Sequence, residues 1–395
     1  MMTLCRQRWV ASMLLLASGS SFAKTCIPAH TFVEMTADIG GLATDAYGKN
    51  HVPLGQYERI SPDGRFVLRS YSGAKLGNVS VMELPAQGDK VVRGYRTPLR
   101  NEAFPVQGTW RYLVDIDGSH YRLQDILQQG EQARALFKGG MTGFYAAAAE
   151  LPGQQPDQII IRSLSWPNAG SSDDSQGVGT LSVRSITVDT AQQRKVADTG
   201  VQYLCANRVQ EDGAMYALPM ISVDGQEFAA MPLMPADGKQ TMRIFGFGES
   251  GKDCHLRAAL PHASGKTVFG FNQGQGADLA YEYRGEAWWY NRAARQAFNI
   301  SMPPMRAGET LTASAFPGMT RDGRVIYAAS WRHCQTGQGC STRVGYVVSD
   351  PYQSAAWQAW RAQHPNQAQG APSCITQEAV AQSRRDFARL HGLAE

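Results

Sequence analysis

The sequence lacks the features that mark several common protein classes. After residue 23, no apolar run approaches the roughly 20 residues that a transmembrane helix needs. Lysine and arginine are scattered, apart from the pair Arg384-Arg385, and the formal net charge is only +4. A nucleic-acid or anionic-membrane surface would require clustered basic residues. The composition therefore predicts no nucleic-acid partner and no membrane-spanning segment in the mature chain.

Sequence signatures of catalysis and of metal binding are missing as well. The chain contains no Gly-x-Ser-x-Gly nucleophile elbow, no His-Glu-x-x-His zinc helix and no Cys-x-x-Cys pair. The segment 115–118 begins like a calcium loop, but the later carboxylates of such a loop do not follow. We therefore predict no catalytic residue, no metal site and no cofactor. A catalytic group assembled from distant parts of the chain would escape this search.

The N-terminus has the pattern of an export signal. Arg6 and Arg8 precede the apolar run 10–17, and Ser21-Phe22-Ala23 offers the small residues that a signal peptidase reads. We predict cleavage after Ala23, which leaves a mature net charge of about +2. The predicted location is periplasmic or secreted, and an uncleaved N-terminal anchor is the alternative.

Cysteine usage agrees with export. Cys5 would leave with the signal, and six cysteines remain, an even number in an oxidising compartment. Fifteen pairings are formally possible for six cysteines. We favour three disulfides. Cys334 pairs with Cys340 across a short hairpin, Cys205 pairs with Cys254 in the middle of the chain, and Cys26 pairs with Cys374 to join the two ends of the chain. A metal site built from these residues is the weaker alternative, because their spacing does not suit it.

A turn-and-strand phrase recurs along the chain. Its clearest copy is Ser61-Pro62-Asp63-Gly64, which leads into the apolar segment 66–68. Each copy combines a tight turn, often with Gly where the backbone needs positive φ, with a short run of β-branched and aromatic residues. The copies are anchored at six positions, of which the second and fifth are weaker: 64, 108, 158, 225, 265 and 323.

The spacing of these copies predicts the architecture. A second strand phrase follows most turns, as in 78–84, and ends in a polar turn. The anchors are separated by 40 to 67 residues, about 52 on average, which suits a blade of four antiparallel strands. We therefore predict an all-β fold, a six-bladed β-propeller of four-stranded antiparallel blades.

The repeated phrase resembles the PD40 repeat of the TolB-like, WD40-like β-propellers. The resemblance covers residues 60–350 and is strongest at four of the six anchors. TolB carries an additional α/β domain ahead of its propeller, and the residues before position 60 are too few for one. The resemblance therefore implies the propeller alone, and it implies none of TolB's partners for this chain.

The predicted organisation has four parts. Residues 1–23 are the signal peptide, 24–59 lead into or close the propeller, 60–350 form it, and 351–395 are a helical C-terminal extension. In the extension, 376–391 reads as a helix with Val380, Phe387 and Leu390 on an apolar stripe. These helices either pack on the propeller or bind a partner through Trp357 and Trp360, which lie three residues apart.

Bulky side chains follow the first strand phrase of several repeats. They are candidate binding residues for a protein segment or a sugar ring, although they could equally pack between blades: Tyr71, Trp166, Trp331 and His333. In the segment 288–290, strand alternation predicts that one tryptophan is buried and the other more exposed.

Two functions fit these observations. The first is an exported scaffold that binds a protein or a cell-envelope polymer without chemistry of its own. The second is a hydrolase or lyase that acts on an extracellular peptide or glycan from a site in the central channel. Convergent histidines and carboxylates in the channel would favour the enzyme, and aromatic or small polar residues the binder.

Overall fold

The computed structural model shows a β-propeller with two short helices at its C-terminus. The structure describes the following residues: 25–35, 57–70, 79–96, 103–116, 120–129, 132–137, 139–142, 145–165, 181–203, 216–232, 241–247, 254–264, 269–271, 278–335, 337 and 339–393. The predicted signal peptide, 1–23, lies outside them.

The strands among the described residues form five sheets. The first sheet contains β2 (Tyr57–Ile60), β3 (Phe66–Ser70), β4 (Val79–Glu83) and β5 (Arg93–Arg96). A later sheet contains β16 (Tyr216–Ile221), β17 (Glu227–Pro232), β18 (Thr241–Phe247) and β19 (Cys254–Ser264). The next contains β20 (Phe269–Phe271), β21 (Leu279–Tyr283), β22 (Glu286–Asn291) and β23 (Gln296–Asn299). The last contains β24 (Glu309–Met319), β25 (Val325–Gln335), β26 (Gly339–Ser349) and the N-terminal strand β1 (His30–Glu34).

The remaining sheet has ten strands and accounts for the second and third repeats. Its first group contains β6 (Ala103–Gln107), β7 (Tyr112–Asp115), β8 (His120–Gln129), β9 (Gln132–Ala135) and β10 (Met141–Thr142). Its second group contains β11 (Tyr145–Pro152), β12 (Gln158–Ser165), β13 (Ser182–Asp189), β14 (Arg194–Asp198) and β15 (Gln202–Tyr203). Each group is antiparallel, and a short parallel pairing of β6 with β11 joins them at Val106 and Ala148. The structure thus has five sheets instead of the predicted six, because this pairing merges two repeats.

The repeated phrase builds the same turn at three of its anchors. The Ser61 hydroxyl donates to the Asp63 carboxylate at 2.6 Å and accepts the backbone N–H of Phe66 at 2.8 Å. Ser222 and Asp224 reproduce this geometry at 2.6 Å, and Thr320 donates to Asp322 at 2.8 Å. Gly64 has a φ of +69°, a conformation that a side chain would strain. The phrase is therefore a hydrogen-bonded unit that joins the first two strands of a repeat.

The hydrophobic core lies between neighbouring groups of strands. Among the described residues, six buried clusters fill these spaces, one at each junction of consecutive groups. At the junction of the last sheet with the first, Ile326 and Tyr346 pack against Val67 and Met82. We call this junction the seam. The ring is closed there by β1, which pairs antiparallel with β26.

Two helices follow the last sheet. Helix α1 spans Ala355–Gln363, and helix α2 spans Gln377–His391 with Thr376 as its N-cap. Gly392 ends α2 in the left-handed conformation. In the apolar stripe predicted for α2, Val380 and Phe387 are buried, whereas Leu390 is exposed. No described helix is long and apolar enough to cross a membrane.

Candidate functional site

The two C-terminal helices pack across the propeller. Trp357 of α1 is 1% exposed, and its ring centroid lies 5.3 Å from that of Trp289 and 5.2 Å from that of Phe298. Trp360 is also buried and stacks on Trp357. The alternative in which these two tryptophans bind a partner is therefore wrong, because burial against β22 and β23 uses their faces.

Helix α2 rests on the turns of the first two repeats. Phe387 packs against Phe66 and Trp110, with centroids 6.2 and 6.4 Å away. At the end of the helix, His391 Nδ1 lies 2.8 Å from Asp125 Oδ2, and both side chains are fully buried. Burial alone would raise the pKa of Asp125, but the contact with His391 and the N–H of Leu127 outweigh it, so that the pKa is lowered.

A disulfide joins the chain ends beside α2. Cys26 and Cys374 are bonded, with their Cα atoms 5.8 Å apart, and this is the pairing that the sequence predicts. Backbone hydrogen bonds run on both sides of it, from Ile27 to Ile375 at 3.0 Å and from Gln377 to Thr25 at 2.9 Å. The N-terminal segment, the last sheet and α2 are therefore held together at the seam.

The candidate site is a cavity at this seam, with a volume of about 680 Å³. It lies between four separate parts of the chain, and its lining is mostly apolar. The N-terminal segment contributes Ile27, Pro28, Thr31 and Val33, and the first sheet contributes Gly64 and 85–89. The last sheet contributes Arg324 and Val348, and α2 contributes Gln377, Val380, Ala381, Arg384 and Arg385. This volume lies within the range of small-ligand and peptide sites. We call it the seam cavity.

Guanidinium groups supply the main charge of the seam cavity. Arg384 Nη2 donates to the backbone oxygens of Leu84 and Pro85 at 3.3 and 2.9 Å. Its Nε is buried without a partner, and no described acidic group forms an ion pair with it. Burial lowers the pKa of Arg384, and the charge of Arg324 lowers it further. A guanidinium stays charged even after such a shift.

Arg324 holds the seam together from the other side of the cavity. Its Nε and Nη2 form an ion pair with Asp322, and Nη2 also donates to the backbone oxygen of Asp63 at 2.6 Å. The Asp63 carboxyl is buried, and its Oδ2 has no described hydrogen-bond partner. Burial raises the pKa of Asp63, against the opposing effects of Ser61, the Arg65 N–H and the charges of Arg384 and Arg324. The cavity therefore adjoins a buried turn with an excess of cationic groups.

The binding residues expected from sequence fall elsewhere. Tyr71 and Trp166 lie outside the described residues. Trp331 is 1% exposed and packs in the cluster around Trp289 and Tyr327, so the expectation that its ring is presented on the surface is wrong. Strand alternation places it between sheets, where a large ring fills the junction.

His333 is half-buried at the far end of β25. Its ring lies against Gly308, and its Nδ1 has no hydrogen-bond partner among the described residues. The neighbouring hairpin is closed by the predicted disulfide between Cys334 and Cys340, with Cα atoms 4.0 Å apart. The structure therefore does not bring His333 together with the seam cavity.

Other expectations are tested only in part. Cys254 is disulfide-bonded, and Cys205, the partner predicted for it, lies outside the described residues. Trp289 is buried and Trp288 is half-buried, as strand alternation predicts. Within the described ranges, no three His, Cys, Asp or Glu side chains are placed to hold a metal ion. Most side chains of β16 and all those of β20 lie outside the described residues, so the enzymatic alternative stays a hypothesis.

Sequence reasoning missed the residues of the seam cavity. Arg384 was visible only as half of a basic pair, and Arg324 only as the residue after the glycine of one repeat. The copy of the phrase at Ser222 carries Gln226 at the position equivalent to Arg324. The copy at Ser61 carries Arg65 at that position, so an arginine there did not single out the turn of Arg324.

The fold has structural neighbours at low sequence identity. Oligogalacturonate lyase in complex with manganese is 9% identical, covers 74% of this chain and 88% of its own, and has a TM-score of 0.39. TolB from Acinetobacter baumannii is 12% identical, covers 62% of this chain and 54% of its own, and has a TM-score of 0.33. A putative 6-phosphogluconolactonase from Bacteroides fragilis is 13% identical. The match covers 65% of this chain and 85% of the lactonase chain, with a TM-score of 0.32.

This chain spans about half the length of TolB. No protein-family profile matches the sequence, and no curated protein matches it. The chain has the arrangement of a β-propeller, and TolB and other propeller proteins are among its structural neighbours.

Proposed function

We propose that this chain is an exported six-bladed propeller that binds a protein partner or an envelope polymer in the seam cavity, without chemistry of its own. The observation that carries the proposal is the cavity itself, which has mostly apolar walls and a volume of about 680 Å³. Of the guanidinium groups that line it, that of Arg384 forms no ion pair with a described carboxylate. Such a combination of apolar surface with a few polar groups is typical of ligand sites.

The six-bladed form is supported by the packing of the ten-stranded sheet. Its two groups meet through one short parallel pairing, and a separate buried cluster lies between them, with Val106 and Leu113 on one side and Ile161 and Ile186 on the other. The other junctions between strand groups have the same kind of cluster. This packing supports the proposal that each group acts as a separate blade in a ring of six.

Export is supported by the disulfides. Two described pairs, Cys26 with Cys374 and Cys334 with Cys340, suit an oxidising compartment such as the periplasm or the extracellular space. The ring and its C-terminal helices are held at the seam by one of these bonds. A cavity whose walls come from four distant segments depends on such restraint, because each wall would otherwise move separately.

Site-specific photocrosslinking tests the proposal. A photoreactive amino acid replaces Gln87, an exposed residue that lines the cavity, and in a matched variant it replaces Gln192, an exposed residue of a remote hairpin turn. Irradiation of host cells should yield a discrete crosslinked species from position 87 and none of the same mass from position 192. Equal products from both positions, or none from position 87, would contradict binding at the cavity.

A further inference from the structure

The cationic groups of the seam cavity have unused hydrogen-bonding capacity. Each guanidinium carries five N–H donors. In Arg384, only Nη2 is engaged, so that Nε and Nη1 donate to no described residue. In Arg324, Nη1 is likewise without a hydrogen bond, while its other nitrogens hold Asp322 and the Asp63 backbone. Two guanidiniums that line one cavity therefore retain donors.

The charge balance around these groups is positive. Arg65 and Arg93 pair with Glu83, and Arg324 pairs with Asp322, so these carboxylates are already engaged. Arg384 has no bonded carboxylate. The buried Asp63 carboxyl and Glu83 act on it through space without a hydrogen bond, and burial raises the pKa of Asp63. Asp89 is the one acidic side chain in the cavity lining, and it is exposed. Such an arrangement favours an anionic group, since a charge-assisted hydrogen bond from a guanidinium is stronger than a neutral one.

The walls indicate what carries the anion. Most of their surface is formed by aliphatic and proline side chains, among them Ile27, Val33 and Val380. The uncharged polar side chains of the lining are Thr31, Gln87 and Gln377, and none of the lining residues is aromatic. A sugar ring buried here would bring several hydroxyls against surfaces that cannot hydrogen-bond to them, which is costly. Aliphatic side chains of a peptide would instead gain by leaving water.

We propose that the seam cavity binds the carboxylate of an extended peptide segment with aliphatic side chains, and that Arg384 and Arg324 recognise that carboxylate. This inference rests on the proposed function and names its ligand class. Arg384 is the principal recognition residue, because its position is fixed by Leu84 and Pro85 while its Nη1 stays available to a ligand. Arg385 contributes less, since it is exposed and already donates to Gln382.

The recognition is open to a direct titration. The probes are the pentapeptide acetyl-Ala-Val-Ala-Val-Ala with a free C-terminal carboxylate, the same peptide as its C-terminal amide, and an amidated version with Glu at the centre. Binding is followed on the full mature chain through the ¹⁵N-¹H signal of Arg384 Nε, which is assigned by its absence from the Arg384→Gln variant. The two carboxylate peptides distinguish a terminal from a side-chain source.

We expect one or both carboxylate peptides to shift the Arg384 signal and to bind about tenfold or more tightly than the plain amide. Arg384→Gln should weaken the carboxylate peptides by a similar factor, while Arg389→Gln, at an exposed position of the same helix, should not change their affinity. If Arg384→Gln also disturbs the packing of α2, the comparison of carboxylate with amide on the wild-type chain remains decisive.

The outcomes separate this inference from the proposed function. Equal affinity for carboxylate and amide peptides would overturn carboxylate recognition but leave the cavity as a binding site. A shift of the Arg384 signal by a galacturonic acid trisaccharide, and by none of the peptides at millimolar concentration, would overturn the peptide and favour a polymer. If neither class shifts the signal and position 87 also yields no crosslink, the proposed function fails together with the inference.

Discussion

The buried pair of Asp125 and His391 should control how firmly α2 is held against the propeller. The two side chains are 2.8 Å apart, and neither is exposed to solvent. Asp125 also accepts the N–H of Leu127 at 3.0 Å, and His391 packs against Phe387 with ring centroids 4.4 Å apart. Arg384 is seven residues before His391 on the same helix, so the pair also positions a wall of the seam cavity.

The perturbation is a double-mutant cycle of Asp125→Leu and His391→Leu. Each single substitution leaves the other polar group buried without its partner, which typically costs about 3–5 kcal/mol. Replacement of both by apolar side chains is often nearly neutral, so the double variant should be more stable than either single one. The expected coupling between the two sites is therefore several kcal/mol.

The assay is native-state hydrogen exchange of the α2 amides, compared with those of β24–β26. Because every 1.4 kcal/mol is tenfold, a loss of about 3 kcal/mol should speed the opening of α2 by about two powers of ten. The Cys26–Cys374 disulfide tethers the start of the helix, so the last sheet should keep its protection. Arg389→Gln, which removes an exposed pair with Asp386, should change exchange little. Single variants no faster than the double one would refute the reasoning.

Acid should weaken the same contact. The pKa of Asp125 is lowered in the folded state from its ordinary value of 3.8, with His391, the Leu127 N–H and Arg111 as the groups that favour the charged form. Its contribution to stability is therefore present above about pH 4 and is lost as the pH falls through the folded pKa. After correction for intrinsic rates, the α2 amides should exchange faster at pH 3 than at pH 6. The double variant should not show this difference.

Three further predictions concern other parts of the fold. Asp278 is buried, and burial raises its pKa to about 6. Between pH 4 and 6 the folded state therefore binds more protons than the unfolded state, and the free energy of unfolding falls as the pH rises, by at most about 3 kcal/mol. Asp278→Asn should remove this pH dependence in thermal unfolding measured from pH 4 to 7. Gly64→Ala should lower the free energy of unfolding more than Gly285→Ala does. Both glycines have positive φ, but a Cβ on Gly64 would lie 2.8 Å from Ile326, whereas Gly285 faces open space. We expect losses of about 2 kcal/mol or more and about 1 kcal/mol in denaturant unfolding, and equal losses would contradict the packing. Removal of the Cys26–Cys374 disulfide should destabilise the fold by roughly 6 kcal/mol in the chain-entropy model, and removal of the Cys334–Cys340 disulfide by roughly 2, because the loops that they close span 348 and 6 residues. Calorimetry of the two double serine variants measures the order of the two losses.

Local patterns in the sequence predicted what depends on local physics. The Ser-Pro-Asp-Gly phrase predicted a turn because its hydroxyl and carboxylate form hydrogen bonds within five residues and its glycine accepts a positive φ. The apolar positions of 376–391 predicted a helix, and the structure has one at Gln377–His391 with Thr376 as its N-cap. The cysteine pair at the chain ends followed from a ring that must close, and the pair Cys334–Cys340 from the short hairpin loop between the two residues.

Features that depend on distant segments were not predictable in this way. Alternation showed that Trp331 has a preferred face, but not that a neighbouring sheet covers it. The parallel pairing at Val106 and Ala148 depends on how two repeats approach each other, and it changed the number of sheets. The seam cavity joins segments up to about 350 residues apart in sequence, so no local pattern could place Arg324 beside Arg384.

The measurement that most directly tests binding at the seam cavity is the crosslink from position 87 in the presence and absence of Ala381→Phe. Ala381 lines the cavity from α2, and a phenylalanine there would fill space without removing a charge. A crosslinked partner that disappears in Ala381→Phe, while the thermal midpoint and the exchange of α2 stay unchanged, is the expected result. A partner that crosslinks equally well with the cavity filled would show that ligands bind elsewhere on the propeller.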